Sequence, residues 1–185
     1  MTPIPFATPE DWSNWLAAHK DAKEIWVLYH RKGSGTPSID WDQAVVEALA
    51  HGWIDGIRKT VADTQWMQRF TPRKPGSSWS QKNIATAERL IAEGRMTSAG
   101  LAHVEIAKAN GRWEAGYSGG KNSDLPQDFL DAAAATPAAT HALQSLNRQN
   151  RYAIYYRLTT AKRPETRAKR IADYVAKLAR GETII

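Results

Sequence analysis

The sequence predicts an α+β fold: a small, mostly antiparallel sheet with helices in the N-terminal part, and a helical C-terminal part. Three observations carry that expectation. Ile25-Trp26-Val27-Leu28-Tyr29 is an unbroken aromatic and β-branched run, the pattern of a strand buried on both faces. Two further short stretches, Trp53 to Lys59 and Gln65 to Phe70, flank a turn at Ala62-Asp63-Thr64 and read as a hairpin. From Trp79 onward the apolar residues recur at helical spacing.

The chain opens with Thr8 followed by Pro9, an N-cap and a first-turn proline. Trp12, Trp15, Leu16 and His19 give that helix one apolar stripe. After the strand at 24–32, Lys32-Gly33-Ser34-Gly35-Thr36-Pro37 is a turn without the Gly-Lys-Ser/Thr ending of a phosphate-binding loop. Asp40 with Gln43 caps the next helix, whose stripe is Ala44, Val45, Ala48 and Leu49, and Gly52 stops it. In the hairpin, Trp66, Gln68 and Phe70 alternate with Gln65, Met67 and Arg69. Ser78 with Gln81 fits a capping box for a helix over Trp79 to Glu93. Thr97 caps the following one, with Leu101, Val104 and Ala107 as its stripe.

The stretch from Glu114 to Pro126 holds three glycines and two serines with no period, and reads as a linker or a binding loop. Helical pieces follow. Pro126 and Pro137 stand at helix starts, and Asn147 caps a helix bearing Tyr152, Ile154, Tyr155, Tyr156 and Leu158. Pro164 opens the last helix, with Ala168, Ile171, Ala172, Val175, Leu178 and Ala179 on an apolar face and Arg167, Arg170 and Lys177 away from it. The expected organisation is an α+β unit over 1–75, a helical pair over 76–113 packed on it, the linker or loop over 114–126, and a C-terminal helical unit over 127–185. Together these are expected to form one compact domain.

Composition narrows the function classes. A hydrophobic fraction of 42% with eight tryptophans indicates a folded chain. There is no cysteine, which excludes disulfides and thiolate metal sites. The N-terminus has neither a basic nor an apolar signal region, and no apolar run nears the ~20 residues of a membrane span. A cytoplasmic, soluble protein is expected. The net charge is +6, and it is uneven. Arg58 to Arg95 holds eight basic against three acidic residues, and Arg148 to Arg180 ten against two. Clustered charge focuses potential on one face. It points to an anionic small molecule or an acidic partner, with nucleic acid as a further possibility. Solvated helix faces would give the same counts.

The densest cationic stretch runs from Gln68 to Asn83. Pro72 and Pro75 stiffen it, Arg69, Arg73, Lys74 and Lys82 charge it, and it leads into a helix N-terminus. That combination suits an anion cradle; a Pro-rich turn with solvated charges is the alternative. Asp55 stands alone among apolar residues. It is either a functional carboxylate or a partner that fixes Arg58, Arg69 or Arg73. Trp53, Trp79, Trp113 and Tyr152 could wall a ligand groove or fill the core. Arg163, Arg167 and Arg170 form a second cationic group that could converge on the same groove.

Other chemistries find no support. Histidines 19, 30, 51, 103 and 141 never fall at a metal-ligand spacing, so no metal is expected, and no cofactor fingerprint follows a strand. No serine sits in a nucleophile elbow.

The central stretch, together with His51-Gly52-Trp53-Ile54-Asp55-Gly56 and Glu93-Gly94-Arg95-Met96-Thr97-Ser98-Ala99-Gly100-Leu101, resembles the YdeI/OmpD-associated, bacteriocin-protection family. Asn110-Gly111-Arg112-Trp113, Asn150-Arg151-Tyr152-Ala153-Ile154 and the run from Thr160 to Ile171 add to the likeness, which extends from about Trp15 to Glu182. The resemblance implies a non-catalytic role in protection against bacteriocins and antimicrobial peptides, or in stress response. The charge map adds an anionic ligand held by Trp53, Asp55, Arg58, Arg69, Arg73, Lys74, Trp79, Lys82 and Asn83, with Arg163, Arg167 and Arg170. A nucleic-acid binder is one alternative. An enzyme acting on a phosphorylated or carboxylated metabolite, with Asp55 as acid or base, is the other.

Overall fold

The computed structural model describes residues 2–117 and 124–185. Contacts divide the chain into two units, Met1–Gly116 and Tyr117–Ile185. Most of the stretch read as a linker, at 118–123, lies outside the described residues.

In the first unit, β1 (Ile4–Pro5) precedes α1 (Pro9–Ala18), β2 (Ile25–His30) and α2 (Trp41–Ala50). Then come β3 (Trp53–Ala62), β4 (Gln65–Pro72), α3 (Gln81–Ala92) and α4 (Ser98–Ala109). The sheet order is β1-β2-β4-β3, with β1 parallel to β2 and the other pairs antiparallel. The two-residue β1 has no pattern by which the sequence could announce it. β2 is buried on one face only: Ile25, Val27 and Tyr29 are buried, while Trp26, Leu28 and His30 are half-exposed. Its continuous apolar run therefore overstated the cover on its outer face.

Both early helix starts form as their caps require. Thr8 and Asp11 make a reciprocal capping box on α1, as do Asp40 and Gln43 on α2. α3 starts later than the Ser78–Gln81 pairing suggests. Ser80 is the cap, its hydroxyl accepting from Asn83 N at 3.1 Å, while Trp79 before it is buried in the core.

α1 and α2 cover the inner face of the sheet. Trp12 packs edge-on against Phe70 with ring centroids 5.5 Å apart, and its indole N–H donates to the Ala44 carbonyl at 3.0 Å. α4 approaches the C-terminal end of α2 closely. The Thr97 hydroxyl and backbone N–H both donate to the Ala50 carbonyl, at 2.7 and 3.0 Å. Only a glycine fits at position 100, where a Cβ would stand 2.4 Å from that carbonyl oxygen.

The second unit is helical: α5 (Gln127–Ala134), α6 (Pro137–Ser145), α7 (Arg148–Thr159) and α8 (Pro164–Ala179). Its core is built on Phe129, Ile154, Tyr155, Leu158, Tyr174 and Leu178. Buried Asn150 pins the chain end: its Oδ1 accepts from the backbone N–H groups of Ile184 and Ile185, at 2.7 and 3.0 Å. α8 sits rotated from the expected orientation. Tyr174 and Leu178 are its buried residues, while Ala168 and Ala172 are exposed and line an apolar groove of 530 Å³. Among the described residues no helix is long and apolar enough to cross a membrane.

A cationic cleft as the candidate functional site

Strand register decides which charges meet. β2 and β4 run antiparallel with Ile25 opposite Phe70 and Trp26 opposite Arg69. The chain leaving β4 at residues 71–74 therefore passes the segment that enters β2, residues 20–24. Where they pass lies a cleft of 580 Å³, and Lys20, Lys23, Arg69, Arg73 and Lys74 all line it. Among the described residues Asp21 is the one acidic residue on its wall, and no aromatic ring lines it.

The five cations are held differently. Arg69 makes a fork with Glu24, its Nε donating to Oε2 at 2.8 Å and its Nη2 to the same oxygen. Arg73 is buried at 4% exposure, with its guanidinium 3.9 Å above the Trp79 ring and Nη1 donating to the Ser78 carbonyl at 3.3 Å. Its backbone N–H donates to the Gly52 carbonyl at 2.8 Å, so the start of the loop is anchored to the turn before β3. Lys74 begins a tight turn, its N–H donating to Ser77 Oγ at 3.0 Å and its carbonyl accepting from Ser77 N at 2.9 Å. Lys20, Lys23 and Lys74 are exposed. Two held guanidinium groups and three exposed ammonium groups thus border one concavity. With the Arg69 fork on Glu24 and Arg73 buried, the guanidinium groups supply fixed positive charge, and the exposed ammonium groups meet a carboxylate or phosphate as point charges.

The other residues singled out from the sequence lie elsewhere. Lys82 pairs with Asp42 and stands 4.8 Å from the Trp41 ring. The Asn83 N–H is spent on the α3 cap. Trp53 and Trp79 are core residues, each 4% exposed, and Trp79 packs against Trp113 with centroids 5.0 Å apart. Arg58 stacks 4.1 Å above Trp66. Arg163, Arg167 and Arg170 belong to the second unit. Arg167 grips Asp128 with Nε and Nη2, both at 2.8 Å, and gives Nη1 to the Leu158 carbonyl at 2.6 Å. The Arg170 guanidinium donates to the Arg157 carbonyl. Arg163 is exposed just ahead of α8.

Asp55 is half-buried on β3, opposite Phe70. It accepts from the Trp41 side chain and from Gln68 Nε2 at 3.0 Å. Burial holds its carboxyl above the ordinary carboxylate range, against the pull of those bonds and of the nearby Arg73 charge. Among the described residues no group of three His, Asp or Glu side chains could hold a metal ion.

Sequence reasoning passed over Lys20 and Lys23. They lie in Lys20-Asp21-Ala22-Lys23-Glu24, where alternating signs cancel on paper. Only the β2–β4 register shows that they face the second cationic segment.

The comparisons with known proteins divide at a similar place in the chain. Residues 4–103 match the family described as a domain of unknown function, DUF8412. Residues 122–181 match the family described as bacteriocin-protection, YdeI or OmpD-associated, so the resemblance read from the sequence holds there. No curated protein and no solved structure matches the chain significantly.

Proposed function

The chain belongs to the DUF8412 family and carries the bacteriocin-protection match in its second unit; on that premise we propose that it is a non-catalytic protection or stress-response protein that works by binding an anionic ligand in the first unit. The observation that carries the proposal is the cleft bordered by Lys20, Lys23, Arg69, Arg73 and Lys74. Five cations against Asp21 on the wall, and Glu24 behind Arg69, leave a surplus of positive charge in a concave site, which concentrates an anion there. The absence of a ring on the wall makes charge, rather than base stacking, the basis of recognition. A compact ligand with several negative charges, such as a di- or polyphosphate, matches both features. Asp55, the carboxylate that an enzymatic reading would use, stands outside the cleft and is held by Trp41 and Gln68, which favours the non-catalytic reading.

Arg69 and Arg73 are poor choices for a test, because their ion pair and buried stacking also hold the fold. Lys20, Lys23 and Lys74 are exposed and leave the fold alone. Pyrophosphate and tripolyphosphate should raise the melting temperature of the full chain at low salt, since a ligand bound only by the folded state stabilises it. The Lys20→Gln/Lys23→Gln/Lys74→Gln variant should keep its own melting temperature and bind about tenfold or more weakly, each exposed charge contributing up to about 1 kcal/mol. No shift with either anion, or undiminished affinity in the triple variant, defeats the proposal.

A further inference from the structure

A second cleft, of 540 Å³, lies in the first unit and is lined by the chain from Tyr29 to Trp41 together with Gln43 and Trp66. That volume is in the ordinary range of small-molecule sites, roughly 300–1,000 Å³. We propose that it binds an uncharged, hydroxyl-bearing ring of the sugar class, with the Tyr29 phenol as the donor that recognises it.

The inward positions of β2 and β4 are apolar along most of their length, as Ile25, Val27 and Phe70 show. Toward the cleft the same face becomes polar, with Tyr29 on β2 and Gln68 on β4. Gln68 is satisfied, donating to Asp55 Oδ2 and to the Gly56 carbonyl. Tyr29 is not. It is 1% exposed, and among the described residues its hydroxyl has no hydrogen-bond partner. Buried polar atoms are nearly always paired, and an unmet one at the wall of a cavity marks a place where a ligand can complete the set. Burial and the charges of Asp55 and Asp40 keep the phenol protonated by raising its pKa, so it serves as a donor.

The surroundings select the ligand's charge. The N-terminus of α2 borders this cleft and would otherwise favour an anion. Its capping box is already closed: Gln43 N donates to Asp40 Oδ1 and Asp40 N to Gln43 Oε1, both at 2.9 Å. Asp40 on the wall and Asp55 nearby repel a negative group further. Arg31 and Lys32 line the cleft and Arg58 sits over Trp66, which opposes a cation. A neutral ligand fits both constraints. Its recognition surface is mixed. The Trp66 ring is sandwiched between Tyr29, stacked at 3.9 Å with an interplanar angle of 7°, and the Arg58 guanidinium at 4.1 Å, which leaves Trp41, 37% exposed, as the more open ring. Ser34 and Thr36 supply hydroxyls on the lining, while the Ser38 hydroxyl is taken up by the Ile39 carbonyl and the His30 N–H. An apolar ring face beside several hydroxyl groups is the surface a sugar presents.

The test titrates the full chain with glucose, N-acetylglucosamine, cellobiose and myo-inositol up to about 10 mM, where a Kd in the millimolar range is visible, following tryptophan fluorescence. At least one should give a saturable change, because Trp41 and Trp66 line the site. Tyr29→Phe keeps the stacked ring and removes the hydroxyl. It should raise the melting temperature of the free protein, since an unpaired buried group is lost, and weaken the sugar by about tenfold. The Lys20→Gln/Lys23→Gln/Lys74→Gln variant should bind the sugar as the parent does, which separates this site from the cationic cleft. No saturable change with any of the four ligands overturns the proposal. So does a Tyr29→Phe chain that is less stable than the parent, or one that binds as tightly.

Discussion

Asp55 shows how much a single residue's role depends on what surrounds it. Its sequence context offered a catalytic carboxylate or an arginine partner. In the fold its side chain lies on the inner side of the sheet, beside Gln68 and under Trp41. Burial disfavours the charged form, so its folded pKa stands above the unfolded value of 3.8. The sign of the pH effect follows. Between pH 3.8 and the raised value the folded chain holds the proton more often than the unfolded one. Its stability therefore falls as pH rises through that window, and the loss persists above it. Asp55→Asn removes this ionisation and keeps an acceptor for Trp41. Urea midpoints of parent and variant, compared from about pH 4 to about pH 7, should diverge as pH rises, with the variant the more stable at neutral pH. A variant less stable than the parent at neutral pH would mean that the bonds from Trp41 and Gln68 outweigh the burial of the charge.

At the scale of elements, the charged residues of α8 carry structural work that the sequence pattern assigned to solvent. The last carbonyls of a helix lack partners and bear partial negative charge. Arg170 fills that need at the end of α7 on the carbonyl of Arg157, and Arg167 adds a charged donor on the carbonyl of Leu158, which also accepts from Ala161 N. Arg167 also ties the first turn of α5 through Asp128, whose carboxyl it holds below the usual carboxylate range. Arg167→Ala should cost about 1.5–3 kcal/mol, the range for hydrogen bonds to charged groups. Arg167→Lys should recover only part, because one ammonium cannot reproduce the fork, and Asp128→Asn should lose less, since the exposed half of the interaction is screened. Chemical denaturation of the three variants checks this ranking. A loss as large in Asp128→Asn as in Arg167→Ala would show that the ion pair, and not the bond to α7, is the main contribution.

These same elements explain what the sequence could and could not reveal. Local signals were readable because their physics is local. Thr8, Asp40, Thr97 and Asn147 cap the helices assigned to them. The hairpin turns between Ala62 and Gln65. What depended on distant partners was hidden. Ile4–Pro5 becomes a strand only through β2. The rotation of α8, which takes Tyr174 into the core and Arg167 and Arg170 onto α7, depends on partners far along the chain. The cleft was half legible: Arg69, Arg73 and Lys74 stood out by density, whereas Lys20 and Lys23 join them only through strand register.

For the whole molecule, the open question is whether the two cationic regions of the sequence act as one. The cleft offers a direct way to ask. Every residue that lines it comes from the first unit, and that unit's hydrophobic core, from Phe6 to Ala107, is assembled from its own residues. A unit with its own core and all its strand pairings satisfies the conditions for folding alone. Residues 1–116, expressed without the rest, should unfold cooperatively and bind pyrophosphate as tightly as the full chain. Equal affinity places recognition in the β2–β4 crossing alone and leaves Arg163, Arg167 and Arg170 to structural or separate roles. If the fragment folds but binds about tenfold more weakly, a contribution of about 1.4 kcal/mol comes from the second unit. In that case the tail cations would reach the ligand, and single Arg163→Gln exchange in the full chain, which leaves the two gripped arginines in place, should reproduce part of the loss.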